Sequence, residues 1–271
     1  VRADLRNLPA GFALTQLAIE PGAIKPYTFN ADRGENSVML SGYVPDAKTR
    51  ADIVDIAKRY FEGNTVEDKL VEGPGAPKDF TVAVRAGLQE LARLGAGAKL
   101  AVSDAGIALT GLAKFDAARE QIGIAFRAAL PASFKPTLEI GTAPLPPAIE
   151  ELPVCEAEYR KVLERGKVYF KVASAELSDQ SRAVLDELAV ITMRCRGGKI
   201  EIAGHTDGDG QASANLDLSR RRAQSVAAYF EAAGIPTDRL NPTGYGSSVP
   251  VAPNDTAENK AKNRRIEFLV K

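Results

Sequence analysis

The amino-acid sequence predicts an α+β fold in which two tandem αββαβ units precede an α/β sandwich with a mixed sheet. Three observations lead to this prediction. A strand–glycine–helix segment occurs twice in the first half of the chain, 69 residues apart. A proline-rich stretch near the middle separates that half from the rest. Beyond residue 167, segments with strand and helix patterns alternate.

The repeated segment starts at Ser37 and again at Gly106. In each copy a short apolar strand runs into a glycine, Gly42 in the first and Gly111 in the second, and an amphipathic helix follows. The apolar residues before the two glycines match at the same offset. Because a constant offset over a whole supersecondary segment is typical of duplication, two copies of one unit are expected.

Other segments complete each unit. Alternating apolar residues over 65–71 and over 136–140 are suited to strands that pair with the strand ending at the glycine. Apolar residues recur at helical spacing over 79–94, which predicts a helix before the strands of the second copy. Each unit is therefore expected to run helix, strand, strand, helix, strand.

This pattern resembles the BON domain of bacterial envelope proteins over about residues 20–142. The resemblance divides the first half into BON-like domain 1, residues 1–73, and BON-like domain 2, residues 74–142. It implies contact with phospholipid or with an envelope protein, although neither copy carries a basic cluster that would favour lipid. For Gly42 and Gly111 themselves, a structural role at a strand end is the simpler interpretation.

Composition excludes several classes of protein. The 271 residues contain 35 Lys and Arg against 35 Asp and Glu, so no net field attracts the chain to nucleic acid. No apolar stretch reaches the roughly 18 residues that cross a bilayer. The chain begins at Val1, and any signal peptide or membrane anchor is expected in a segment absent from it. Its two cysteines form no cluster that predicts a metal or a cofactor.

A proline-rich linker is predicted over 143–154, followed by a third domain over 155–271. The expected elements of this domain alternate, which predicts an α/β sandwich with a mixed sheet. They are a strand at 168–170, a helix at 178–193, a strand at 199–207, a helix at 213–233, and then a strand, a short helix and a strand that ends the chain. Gly234 and Pro236 mark the end of the second helix.

The turn between the second strand and the second helix carries the strongest functional signal. Asp207 stands at the strand end, while Asn215, Ser219 and Arg222 share one face of the helix. Glycines in the turn and the helix N-terminus expose N–H groups that favour an anion. An amino-acid zwitterion requires such a pair of charges, because its ammonium pairs with Asp and its carboxylate with Arg. Alone, the two charges are equally consistent with an internal salt bridge.

The motif around this turn is long and specific. It reads GHTD and then N-x-x-L-S-x-x-R-A-x-x-V, and it is matched at Gly204, His205, Thr206, Asp207, Asn215, Leu218, Ser219, Arg222, Ala223 and Val226. Further matches are Gly244-Tyr245-Gly246, Pro250 and Asn263-Arg264-Arg265. Over about 115 residues, the chain thus resembles the OmpA-like family of peptidoglycan-binding domains.

In that family the Asp and the helix Arg hold the meso-diaminopimelate of the peptidoglycan stem peptide, which implies the same noncovalent role for Asp207 and Arg222. The family often has Asn or Asp in the loop after the first strand, whereas this chain has Ala173 followed by Ser174. That departure puts the contribution of the loop in doubt. The residues that the resemblance assigns to the site are Asp207, Arg222, Thr206, Asn215, Leu218, Ala173 and Ser174.

These resemblances imply a non-enzymatic, periplasmic protein of the bacterial cell envelope that anchors an envelope structure to the wall. The BON-like units would add a contact to membrane lipid or protein. The alternative is a structural oligomer, or a pore or machine component, formed by the BON-like units with wall binding only as an anchor. His205 does not indicate a hydrolase, because it and its neighbours Thr206 and Asp207 cannot form a triad on one strand.

Cys155 and Cys195 are expected to form a disulfide in the oxidising periplasm. It would join the entry of the third domain to the end of its first helix. Such a bridge contributes about 2–4 kcal/mol, mainly by restricting the unfolded chain. The alternative is a pair of buried, reduced thiols.

Overall fold

The computed structural model describes residues 22–271. Up to Thr142 these residues form an α+β module. Its elements are, in chain order, β1 (Thr28–Arg33), β2 (Ser37–Val44), α1 (Ala47–Tyr60), β3 (Thr65–Glu72), α2 (Phe80–Leu91), β4 (Lys99–Ser103), β5 (Gly106–Ala113), α3 (Asp116–Ala129) and β6 (Lys135–Thr142). The second copy thus runs helix, strand, strand, helix, strand. A helix opening the first copy would lie outside the described residues.

The six strands form one continuous sheet in the order β3-β2-β1-β4-β5-β6. Each copy contributes three strands, and the antiparallel pairing of β1 with β4 joins the copies. Within each copy the closing strand runs parallel to the glycine-containing strand, β3 to β2 and β6 to β5. The two units therefore share a sheet rather than standing apart. Their BON-like character stays a prediction.

Gly42 and Gly111 occupy equivalent positions in β2 and β5, and both have positive φ, 97° and 147°. A Cβ on Gly42 would overlap the carbonyl oxygen of Thr28, the first residue of β1. A Cβ on Gly111 would overlap the Ala98 side chain. The glycines are thus explained by backbone conformation and close approach.

One face of this sheet is packed. Buried residues alternate along the strands, as Phe29 and Ala31 do in β1 and as Ile107 and Leu109 do in β5. Helix α2 packs between α1 and α3 over this face. Strands in which every second side chain is buried are typical of a sheet that packs against helices on one face only.

The remaining residues form a second α/β unit. Its helices and strands are α4 (Leu152–Arg165), α5 (Arg182–Arg194), β7 (Ile200–His205), α6 (Ala212–Ala232), β8 (Leu240–Gly246), α7 (Ala257–Asn263) and β9 (Ile266–Val270). The sheet order is β8-β7-β9, with β8 parallel and β9 antiparallel to β7, so the predicted mixed sheet is confirmed. Across residues 22–271, no helix combines the length and apolar composition needed to span a membrane.

Two expectations differ from the structure in this unit. Helix α4 begins at Leu152, inside the predicted linker, with Pro153 in its first turn where the missing N–H removes no helical bond. The strand predicted at 168–170 is wrong, since Phe170 makes only an isolated bridge with Leu177. Ser181 Oγ bonds both the N–H and the C=O of Tyr169, at 2.6 and 2.8 Å, and so competes with strand pairing.

The predicted disulfide is confirmed. Cys155 in α4 is joined to Cys195, the residue that follows α5, with their Cα atoms 6.0 Å apart. Both residues are buried. The bridge closes a loop of 40 residues around the start of the second unit, which limits the unfolded chain in the way that stabilises a small domain.

A buried ionic cluster joins the two halves of the molecule. Arg93, just after α2, donates from Nε to Asp186 Oδ2 on α5 at 2.9 Å and from a terminal nitrogen to Glu90 Oε2 at 3.1 Å. Tyr229 on α6 donates to the other Asp186 oxygen at 2.6 Å. All three ionic side chains are at most 2% exposed. Burial raises the pKa of Glu90 despite the nearby Arg93, which acts in the opposite direction.

Candidate functional site

The site is built where strand β7 ends and helix α6 begins. Every residue of β7 is buried, so the strand fixes the position at which Asp207 leaves the sheet. Thr206 N–H donates to the Gly246 carbonyl at 2.9 Å, and its hydroxyl donates to the Asp207 carbonyl at 2.9 Å. Thr206 is buried, and its contacts orient the Asp207 backbone.

Asn215 fastens the turn to the first part of α6. Its Nδ2 donates to the carbonyl oxygens of Asp207 and Asp209, at 3.3 and 2.9 Å. A buried side-chain amide that satisfies two loop carbonyls fixes the loop with respect to the helix. Asn215 therefore positions Asp207, and its amide nitrogen is already engaged.

Close packing between α6 and the sheet supports the same geometry. Ser219 Oγ accepts from Gly246 N–H at 2.8 Å. A Cβ on Gly204 would overlap the Ser219 carbonyl oxygen, and a Cβ on Gly244 would overlap the Arg220 backbone nitrogen. Two glycines in neighbouring strands thus let the helix approach the end of the sheet.

Asp207 is paired with Arg264, just after α7. An Arg264 terminal nitrogen lies 2.6 Å from Asp207 Oδ2, and the other carboxylate oxygen accepts from Asp209 N–H at 3.2 Å. The Asp207 side chain is 13% exposed, whereas that of Arg264 is 46% exposed. The carboxylate is therefore oriented by the protein but still reached by solvent.

Arg222 lies close to these charges without touching Asp207. Its Nε donates to the Ser174 carbonyl at 3.1 Å, and its guanidinium carbon lies 4.9 Å from the centroid of the Phe170 ring. Burial lowers the pKa of Arg222, and the cation Arg264 acts in the same direction while Asp207 opposes it. No carboxylate of the described residues lies within 4.0 Å of Arg222. Its terminal nitrogens are therefore available for a ligand.

The loop before α5 contributes its backbone. Ala173 is exposed with φ at 53°, and Ser174 supplies the carbonyl that Arg222 binds. The Ser174 hydroxyl accepts from Glu176 N–H at 2.9 Å and so stabilises the loop itself. The departure from the family pattern at Ala173 thus removes a polar side chain but leaves a carbonyl contact in place.

Leu218 and His205 take no part in this charged group. Leu218 is half-buried on α6. His205 is buried, and its ring is parallel to that of Tyr245 with the centroids 5.3 Å apart. Its Nε2 lies 3.5 Å from Glu267 Oε2. Together with Arg265, this contact lowers the pKa of Glu267 to about 2.

Similarity to known proteins falls on the part of the chain that holds this site. A model of the OmpA family matches residues 169–264. We call the α/β unit that contains these residues the OmpA-like domain, after this similarity. The match covers Asp207, Arg222 and the turn between them.

Individual relatives are similar over about two fifths of the chain. The outer-membrane lipoprotein YfiB of Pseudomonas aeruginosa is 38% identical over 104 residues, which are 38% of this chain and 62% of YfiB. The peptidoglycan-binding protein ArfA of Mycobacterium bovis is 36% identical over 105 residues, which are 39% of this chain and 32% of ArfA. This chain therefore spans less than two thirds of either relative. The peptidoglycan-associated lipoprotein from Burkholderia pseudomallei aligns with 28% identity over 41% of this chain and 93% of its own, with a TM-score of 0.37.

The OmpA-like domain also contains a site residue that the sequence did not assign, Arg264. The signal was present, because Asn263-Arg264-Arg265 belongs to the quoted motif. The structure gives the reason for that motif. Asn263 is buried and binds the backbone of Val251 and Ala252, which fixes the position from which Arg264 reaches Asp207.

Proposed function

We propose that this protein is a non-catalytic wall anchor whose OmpA-like domain binds the meso-diaminopimelate of peptidoglycan. The observation that carries the proposal is the separation of two charges. Arg222 is held by Ser174 and Phe170 with no carboxylate partner in the described chain, and Asp207 lies near it but pairs elsewhere. The relative ArfA is named a peptidoglycan-binding protein, which supports peptidoglycan as the partner.

The free end of diaminopimelate carries an ammonium and a carboxylate on one carbon. We assign the carboxylate to the terminal nitrogens of Arg222, because Nε is already engaged and the remaining donors suit a planar anion. The ammonium goes to Asp207, whose carboxylate is fixed by Arg264 and by Asp209 N–H. Thr206 and Asn215 then act by positioning Asp207, and Ser174 by positioning Arg222.

The test is calorimetric titration of the full chain with meso-diaminopimelate, together with co-sedimentation with isolated sacculi. Asp207→Ala and Arg222→Ala are each expected to weaken binding about 10- to 100-fold, the usual range for a lost hydrogen bond to a charged group. Arg221→Ala is the matched control, because Arg221 is exposed on the same helix and pairs with Asp217 at 2.9 Å. Undiminished binding by the Asp207→Ala/Arg222→Ala double variant would contradict the assignment.

A second test separates the two charges of the ligand. A lysine-type stem peptide retains the ammonium but lacks the carboxylate that Arg222 would bind. We expect sacculi with lysine at this position to bind the wild-type chain weakly, and the Arg222→Ala variant to discriminate little between the two walls. If the wild-type chain bound sacculi with lysine as well as those with diaminopimelate, Arg222 would not bind the ligand carboxylate.

For the N-terminal module, we propose a second contact with an envelope protein or membrane lipid. Strands β3 and β6 are the free edges of its sheet, and Ile124 on α3 is 70% exposed. The same features support the alternative of an oligomer, since open edges and exposed apolar residues are where chains associate. Light scattering and vesicle flotation of the full chain distinguish these roles. A chain that is strictly monomeric and does not float with vesicles would argue against both the oligomer and the lipid contact.

A further inference from the structure

Strand β9 has a free edge. It is the outer strand of the order β8-β7-β9 and pairs only with β7 in the described chain. Val270 N–H points away from β7, since it donates to Glu156 Oε1 on α4 at 3.3 Å. Because successive residues of a strand direct their backbone groups to alternate edges, the backbone groups of Phe268 and Ile266 point outward as well.

A groove lies along this edge. It separates α4 from β9 and has a volume of about 490 Å³, within the range of ligand sites. Its walls include the apolar side chains of Tyr159, Leu163, Val168 and Phe268. The segment predicted as a strand at 168–170 does not fill the position beside β9, because its Tyr169 backbone bonds Ser181. In the described chain no second strand therefore pairs with this edge of β9.

Arg264 connects the groove with the proposed ligand site. It lines the groove, and its guanidinium also contacts Asp207. Strand β9 begins at the same end of the sheet, since Ile266 pairs with Gly204 three residues before Asp207. A ligand whose charged end reaches Asp207 and Arg222 can therefore continue past Arg264 into the groove.

The charge of the groove favours an acidic occupant. Five cationic and three anionic side chains line it. Arg265 and Glu267 pair with one another, and Arg264 pairs with Asp207. Arg160 and Lys167 are exposed at the groove with no carboxylate of the described residues within 4.0 Å. These two cations would attract a peptide that carries free carboxylates.

We propose that this groove binds the stem peptide in an extended conformation along β9, while its diaminopimelate end occupies the Asp207–Arg222 site. The inference rests on the proposed function and extends it from a single residue of the ligand to a peptide. Main-chain bonds to Phe268 and Ile266 would supply affinity, as in other cases of strand addition to a sheet edge. Arg160 and Lys167 would select the acidic peptide.

The experiment compares two probes, free meso-diaminopimelate and the tripeptide L-alanyl-γ-D-glutamyl-meso-diaminopimelate, by calorimetry with the full chain. The wild-type chain is expected to bind the tripeptide about tenfold more tightly. The double variant Arg160→Glu/Lys167→Glu should lose that advantage and keep its affinity for free meso-diaminopimelate. Lys48→Glu/Lys58→Glu is the matched control, because it changes the net charge equally on exposed residues of the N-terminal module.

Amide hydrogen exchange gives a second readout that surface charge does not alter. The tripeptide, but not free meso-diaminopimelate, should slow exchange at Phe268 in the wild-type chain. Equal affinity of the two probes, or an unchanged tripeptide affinity in the groove variant, would overturn the groove assignment while leaving the Asp207–Arg222 site intact. A wild-type chain that binds neither probe would instead overturn the proposed function, and the groove assignment with it.

Discussion

Two arginine–carboxylate clusters in this molecule use the same chemistry in opposite settings. Around Arg93, two carboxylates and a tyrosine hydroxyl satisfy a guanidinium that is 1% exposed. Around Asp207, the partner Arg264 is 46% exposed and Arg222 has no ion-pair partner among residues 22–271. Because its charged groups are buried and hydrogen-bonded to one another, the first cluster has a structural role. The second cluster is accessible, and the terminal nitrogens of Arg222 have no carboxylate partner, so it can bind a ligand.

The difference shows what a charged pair can indicate about function. A buried, fully bonded pair is costly to break but contributes little net energy over apolar packing. An exposed pair contributes little stability and can exchange its partner. The Arg93 cluster crosses between the two halves of the molecule, and its Tyr229 stands on the same helix as Arg222. The buried cluster thus helps to fix the orientation of the OmpA-like domain against the sheet.

The largest expected effect concerns the buried cluster. Asp186→Ala should lower the free energy of unfolding by about 3–5 kcal/mol, because Arg93 loses its carboxylate on α5 and stays buried. Urea denaturation measures the change. Asp217→Ala is the control, since this exposed carboxylate pairs with Arg220 and Arg221 and should cost at most about 1 kcal/mol. Equal losses in the two variants would remove the distinction between the clusters.

An intermediate effect on stability is expected from Asn215, which holds the turn that carries Asp207 against α6. Asn215→Ala leaves the Asp209 carbonyl without its side-chain donor and the Asp207 carbonyl with only the Thr206 hydroxyl, and should cost about 1–3 kcal/mol of stability while also weakening meso-diaminopimelate binding. Asn259→Ala removes only solvent-exposed side-chain hydrogen bonds with Asp255 and Lys262, and should change stability by less than about 0.5 kcal/mol. Normal binding by a destabilised Asn215→Ala protein would show that the loop needs no such fastening.

The smallest effect is expected from pH. The folded-state pKa of Glu267 is about 2, below its usual 4.5, because His205 and Arg265 favour the carboxylate. Its contribution to stability is therefore complete above about pH 4.5 and lost as the pH falls towards 2. Glu267→Gln should flatten this part of the stability profile, measured by urea denaturation between those pH values. An identical slope in the variant would assign the acid sensitivity to other carboxylates.

Local pattern predicted much of this fold. The helices at 178–193 and 213–233 were predicted from apolar spacing and end signals, and α5 and α6 lie there. The strand at 168–170 was wrong because the Ser181 hydroxyl and the backbone of residues 176–178 bond its backbone groups, which no periodicity reveals. The joining of both repeats into one sheet was missed as well, because β1 and β4 are far apart in sequence and nothing local specifies their pairing.

The site was predictable in its residues more than in its contacts. Asp207 and Arg222 followed from motif spacing, and their roles as ligands stay predictions. The sequence did not show that Asp207 pairs with Arg264, which lies 57 residues away. Nor did it show that Ser174 acts through its carbonyl, because any residue type can supply a backbone carbonyl at this position.

The pairing of β1 with β4 determines how a single repeat would behave if it were expressed alone. Ala31 in β1 pairs with Leu100 in β4, and Leu100 is the residue of the second copy that corresponds to Ala31 at the 69-residue offset. The seam, which is the pairing of β1 with β4, therefore lies on a local two-fold axis. Two separate copies of one repeat could meet across the same axis, as isologous dimers do. In this protein the two copies lie in one chain, so their pairing does not depend on protein concentration. A single repeat expressed alone would expose the seam, and we expect it to dimerise or aggregate.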